Sequence, residues 1–145
     1  VVEIDSKNNY KMITAGVVTT PAHTPLADRL LDIFDSLQEI IDETKPSEVS
    51  VEKLFFNTNI TTGITVAEAR GVILLVARKN NLRIAEYTPL QIKQSLTGYG
   101  RAEKNQIQEM VRIHLGLNSI PKPDDAADAL AAAITHGLTR KNEAR

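Results

Sequence analysis

The spacing of apolar and polar positions divides the chain into nine elements. Val1 to Asp5 reads as a strand, Ser6 to Asn9 as a polar turn and Lys11 to Thr20 as a second strand, which together make a β-hairpin. Thr24-Pro25 predicts a helix start, with Thr as the cap and Pro at the first helical position. Leu26, Leu30, Ile33, Phe34, Leu37, Ile40 and Ile41 then form one apolar stripe, which Lys45-Pro46 ends. Glu48 to Phe56 reads as a strand through Val49, Val51, Leu54 and Phe55. Asn57 to Gly63 reads as a polar loop. Thr65 and Glu68 match a capping box for the next helix, which runs to about Lys79.

Asn80-Asn81 turns the chain into a strand, Leu82 to Tyr87. Thr88-Pro89-Leu90-Gln91 combines a cap, a proline and a capping-box Gln, so a short helix begins there and ends near Gly98. Arg101 to Lys104 leads a helix whose face is Ile107, Met110, Val111, His114 and Leu115, ended by Gly116. After Pro121 and Pro123 comes a last helix, Asp124 to Gly137, in which Ala127, Leu130, Ala131, Ile134 and Leu138 share one face. The order β-β-α-β-α-β-α-α-α predicts an α/β fold, a mixed central sheet with helices on both faces.

Composition adds limits rather than a function. At 145 residues the chain is long enough for one domain with a real core. Hydrophobic residues at 42% and charged residues at 24% are ordinary for a soluble protein. No apolar run is long enough to span a bilayer and no signal-peptide pattern opens the chain, so a cytoplasmic protein is expected. The absence of cysteine excludes disulfides and thiolate metal sites. The 17 basic and 18 acidic residues nearly cancel, so nucleic-acid binding would need a local basic patch. Val72 to Ala77 is apolar around most of its helix, which fits either a helix enclosed in its own domain or one covered by a partner subunit.

The acids are the chemical signal. Asp125 and Asp128 lie on one side of the last helix near its start. Read alone they are helix caps and dipole partners, which is the commoner use, or two arms of a metal site. Glu52, near a strand end, is an acid out of place in a buried strand, or a solvated one on an edge strand. Should the three converge, their repulsion would call for a cation, and oxygen donors without Cys suit Mg²⁺ or Mn²⁺. His136, on the Asp128 side of the helix, reads as a surface or capping residue before it reads as support for a site.

The stretches VSVEKLFF, TVAEARGV, LQIKQSLTGYGRAEKNQIQEMV and DDAADALAAAITHG together resemble the RuvC Holliday-junction resolvases, from Val1 to about Leu138. The resemblance implies a ribonuclease H-like fold and a homodimer acting on four-way DNA junctions in recombination and repair. It also implies Mg²⁺-dependent phosphodiester hydrolysis with two ions per complete site, and the branch-migration proteins RuvA and RuvB as partners. By position, Glu52, Asp125 and Asp128 match the family's catalytic metal-binding carboxylates. Phe55 matches its base-stacking aromatic, and Lys93 and Lys104 its basic residues at the scissile phosphate. Lys53, Arg70 and Arg101 are weaker candidates for phosphate contact. The family's opening strand carries a GIDPG-type motif whose Asp is a further metal ligand. That motif is not found here, and Asp5 falls at the hairpin turn. The chain is therefore expected to be truncated at its start. A module that binds junctions or dimerises without cutting is the alternative to an endonuclease.

Overall fold

A computed structural model of the chain describes residues 1–53 and 60–143. Its elements are β1 (Val2–Ile4), β2 (Tyr10–Met12), α1 (Leu26–Thr44), β3 (Glu48–Glu52), α2 (Ile60–Lys79), β4 (Arg83–Tyr87), α3 (Pro89–Thr97), α4 (Lys104–His114) and α5 (Asp124–Glu143). The predicted order of elements is the observed one.

The described strands form two small sheets, β1-β2 and β3-β4, rather than one continuous sheet. β1 and β2 are antiparallel, with Val2 opposite Met12 and Ile4 opposite Tyr10. The turn between them is built on Asp5, whose carboxylate accepts from the backbone N–H of Lys7 and Asn9 and from the Asn9 amide. Lys53 N–H donates to Tyr87 O at one end of β3-β4, and Arg83 N–H to Ser47 O at the other, so these strands run parallel around the α2 crossover. The expected mixture of antiparallel and parallel pairing is present, divided between the two sheets.

Contacts group the chain into two compact units. The first contains Val1–Val17, Ser50–Lys53 and the chain from Ala85 onward. Its core is α5 packed on α3 and α4. Leu130 and Ile134 are fully enclosed, with Val111, Leu115, Ile92 and Leu96 around them. The small residues Ala126, Ala127 and Ala131 are also buried, which lets neighbouring backbones approach α5 closely. Val2, Tyr10 and Met12 of the hairpin cover this core. The second unit contains Val18–Val49 and, among the described residues, 60–84. There α1 packs on α2, Gln38 and Asn80 exchange side-chain hydrogen bonds, and the Lys79 ammonium sits over the Phe34 ring at 5.1 Å.

Several boundaries differ from those the sequence suggests, each for a local reason. β2 ends at Met12 instead of extending to Thr20. Its register against β1 reaches Val1 at Ile13 and Thr14, and residues beyond have no β1 partner. Helix α1 starts at Leu26 with Pro25 as the cap residue and no side-chain cap from Thr24. Thr65 and Glu68 lie inside α2, because that helix is already formed at Ile60. A four-residue capping pattern also occurs by chance in helix interiors. At α3 the same pattern holds: Thr88 Oγ1 accepts from Gln91 N–H while Gln91 Oε1 accepts from Thr88 N–H.

The hairpin comes close to α5 at Gly137. A Cβ at this position would meet Ile4 Cδ1, Tyr10 Cε1 at 2.7 Å and the Tyr10 hydroxyl at 2.9 Å. Gly→Ala inside a helix ordinarily gains about 1 kcal/mol, whereas forcing a methyl into a packed contact costs about 1–3 kcal/mol. Gly137→Ala is therefore expected to lose about 1 kcal/mol in urea unfolding. A gain of that size would contradict the packing described.

Candidate active site

Glu52, Asp125, Asp128, Lys93 and Lys104 all fall in the first unit. What brings Glu52 towards α5 is a register set by one hydrogen bond. Ser50 Oγ donates to the Ala132 carbonyl at 2.8 Å, clamping β3 against α5. Side chains alternate along a strand, so Glu52 shares the face of Ser50 while Val51 is buried on the other. Two strand residues advance about 6.6 Å, and four helix residues advance about 6 Å. Going on from Ser50 to Glu52 therefore matches going one turn back along α5, from Ala132 to Asp128.

The electrostatics agree with that register. The Glu52 carboxyl titrates above its ordinary value, first because surrounding protein desolvates it and then because of the Asp128 charge. Asp128 is also raised, chiefly by desolvation; Asp125 and Asp124 push it further up, while Lys104 opposes them. Glu52 is thus coupled to Asp128, and Asp128 to Asp125. Among the described residues, no three carboxylates or imidazoles stand close enough to hold one ion as their side chains lie. The donor set fits an oxygen-seeking cation in its chemistry, since partly shielded and mutually repelling carboxylates gain most from one.

Lys104 supplies the local positive charge. Its Nζ lies 3.3 Å from Asp124 Oδ2. Its ammonium is held protonated above the ordinary lysine range by that contact, and then by Asp128. An open depression of about 670 Å³ beside the cluster is lined by Lys122, Pro123, Asp124 and Asp125. Lys93 is half-buried on α3, and no ion pair among the described residues joins it to these acids. Arg101 is exposed at the turn before α4, and Lys53 just after β3. Arg70 belongs to α2, in the second unit. Phe55 lies outside the described residues.

Two features were not read from the sequence. His136 is neither a surface nor a capping residue. It is half-buried, and its Nδ1 lies 2.8 Å from the Tyr87 hydroxyl, which ties α5 to β4. Asp124 bridges α4 and α5, contacting Gln108 as well as Lys104. The spacing of Lys104 and Gln108, one turn apart on α4, was a signal for such a partner.

The comparisons with known proteins decide the lineage. A family model described as crossover junction endodeoxyribonuclease RuvC matches residues 1–136. The chain belongs to the RuvC family. The RuvC of Heliobacterium modesticaldum is 55% identical over 134 residues, covering 91% of this chain and 83% of that one. The RuvC of Rubrobacter xylanophilus is 52% identical over 137 residues, covering 94% and 76%. Among solved structures, Thermus thermophilus RuvC matches with a TM-score of 0.89 at 32% identity, over 99% of this chain and 86% of that one. The same protein in complex with a Holliday junction substrate matches with a TM-score of 0.92 at 32% identity, over 98% and 86%. The fold is therefore the ribonuclease H-like fold of RuvC.

The raised carboxyls make a stability prediction. A group whose folded pKa exceeds its unfolded value binds its proton more readily in the folded protein. Glu52 and Asp128 therefore favour the fold while protonated, and that favour is lost as pH rises through their folded values. At pH 7 without divalent cations, Glu52→Gln is expected to raise the melting temperature by about 1–3 °C. An unchanged or lower melting temperature would contradict the coupling of Glu52 to Asp128.

Proposed function

We propose that this chain is a structure-specific endonuclease that resolves four-way DNA junctions by divalent-metal-dependent hydrolysis of phosphodiesters. The observation that carries the proposal is the Ser50–Ala132 register that turns Glu52 towards Asp128, where desolvation and the Asp128 charge raise the Glu52 carboxyl, with Lys104 protonated nearby. Membership of the RuvC family, and the likeness to a RuvC solved with a Holliday junction substrate, support the choice of DNA. No helix among the described residues is long and apolar enough to cross a membrane, which suits a cytoplasmic DNA-processing enzyme.

In this reading Glu52, Asp125 and Asp128 hold the cation, with or without a further carboxylate of the kind the family's GIDPG-type motif supplies. Asp125 and Asp128 are exposed, so their side chains have room to turn towards a cation. Mg²⁺ is the expected ion, with Mn²⁺ as a substitute and two ions in a complete site, because the donors are oxygens. When bound, the metal supplies Lewis-acid stabilisation of phosphoryl charge. The chain's own residues do the rest. Lys104 keeps its proton and offers positive charge where the phosphate gains negative charge. Lys93 serves the DNA backbone from α3, and Phe55 stacks on bases exposed at the branch point.

The proposal includes a homodimer that places two sites on two-fold-related strands. Ile64 and Leu75 lie three turns apart on one face of α2 and are 54% and 61% exposed. Among the described residues, nothing outside the helix's own neighbouring backbone lies within 4 Å of a Cβ built on Gly71 between them, so the face is open there. Paired helices at this face suit both the apolar exposure and the two-fold. RuvA and RuvB are expected to act on the same junctions.

Two experiments test these readings. On a four-way junction in Mg²⁺, Glu52→Gln or Asp128→Asn should lower single-turnover cleavage by about a thousandfold, several kcal/mol of barrier. Their affinity in Ca²⁺ should stay within about threefold of the parent, since phosphate contacts dominate binding. A parent protein that binds junctions and leaves them intact would overturn the endonuclease reading. Leu75→Glu should turn a dimer into monomers in sedimentation equilibrium. A monomeric parent, or a dimer indifferent to the substitution, would overturn the α2 interface.

A further inference from the structure

We infer that Asp124 is a positioning residue for Lys104, fixing its ammonium at the edge of the carboxylate cluster. The inference rests on the role proposed above for Lys104. Asp124 stands in the first turn of α5, where an acid ordinarily serves its own helix. Its carboxylate is instead committed to a neighbouring helix and to the segment before its own. Oδ1 accepts from Gln108 Nε2 at 3.1 Å and from Lys122 Nζ at 3.4 Å, and Oδ2 faces Lys104 Nζ at 3.3 Å.

Gln108 is what makes this a fixed bridge. It is a polar side chain only 8% exposed, and its amide donates to Asp124. Gln108 lies one turn after Lys104 on α4, so the two project from the same side of the helix. The buried amide grips one oxygen of Asp124 and leaves the other turned to the lysine. Lys104 and Asp124 remain 56% and 47% exposed, so their pair adds little to stability. Its value is geometric. A lysine head on a four-carbon stem has many rotamers, and a partner fixed from behind selects among them. Asp124 directly precedes Asp125, so the selected set holds the ammonium at the start of the helix that carries Asp125 and Asp128. A phosphate entering the cluster then meets a charge already in place, and preorganisation of this kind raises the rate more than the affinity.

The informative substitution is Asp124→Asn. Its amide oxygen still accepts from Gln108 and its size is unchanged, but its charge on Lys104 is gone. In single-turnover cleavage of a four-way junction, Asp124→Asn should slow the reaction about five- to tenfold, with affinity in Ca²⁺ within about twofold of the parent. In a Lys104→Ala background the same substitution should have no further effect. A second readout does not depend on cleavage. The Lys104 ammonium should give a resolved ¹⁵N–¹H signal at low temperature, assigned by its loss in Lys104→Arg, and Asp124→Asn should abolish it. A signal indifferent to Asp124→Asn would overturn the bridge whatever the cleavage data show. Loss of the signal with an unchanged rate, or an equal slowing in the Lys104→Ala background, would overturn the positioning role. A parent that shows the signal but never cleaves would instead refute the endonuclease reading on which that role rests.

Discussion

The hydrogen bond from Ser50 Oγ to the Ala132 carbonyl is the constraint on which the site depends. It joins residues 82 apart in sequence, one on a strand and one on a helix, and fixes which residues of each face one another. Strand and helix rises nearly coincide over this stretch, so the register set at Ser50 carries through to Glu52 and Asp128. The alanines that bury against α3 and α4 hold the helix to the same core. The hairpin approaches α5 at Gly137, and Tyr87 approaches it at His136, so α5 is held at several points along its length.

That rigidity is used to keep together groups that repel. Glu52 and Asp128 both titrate high, and Asp124 and Asp125 add to the negative field on Asp128. Lys104 offsets part of it, and Asp124, itself held below the ordinary carboxylate range by Lys104 and Lys122, anchors that lysine. A cluster of this kind costs stability in the folded chain and gains from a cation or a basic partner, a pattern common at functional sites. The same arrangement separates the duties of the acids. Asp124 is satisfied by its neighbours, whereas the Glu52 and Asp128 carboxyls are both raised.

The order of elements was legible because each rests on local chemistry: the Asp5 turn, the Thr88-Gln91 capping box and Gly116 after α4 each act over a few residues. The boundary errors occurred where a local pattern met a tertiary limit. β2 stops where its partner's register runs out, and the Thr65-Glu68 pattern sits in a helix that has already begun. For the site, Glu52, Asp125 and Asp128 stood out as acids in apolar surroundings, but only the resemblance to a family joined them across the chain. Asp124 did not stand out, because an acid at a helix start is the commonest kind. Its partner Gln108 is buried by tertiary packing that no local pattern announces. His136 was misread for the same reason: its partner, Tyr87, is 49 residues away.

Under the proposed function, the β3–α5 register gathers Glu52 and Asp128 into one cation site. The most direct test is an anomalous difference map from crystals of this chain soaked in Mn²⁺. A peak within coordination distance of both the Glu52 and the Asp128 carboxylates is expected, with Ser50 still bonded to Ala132. A peak that excludes either carboxylate, or a Glu52 side chain turned away from α5, would contradict it.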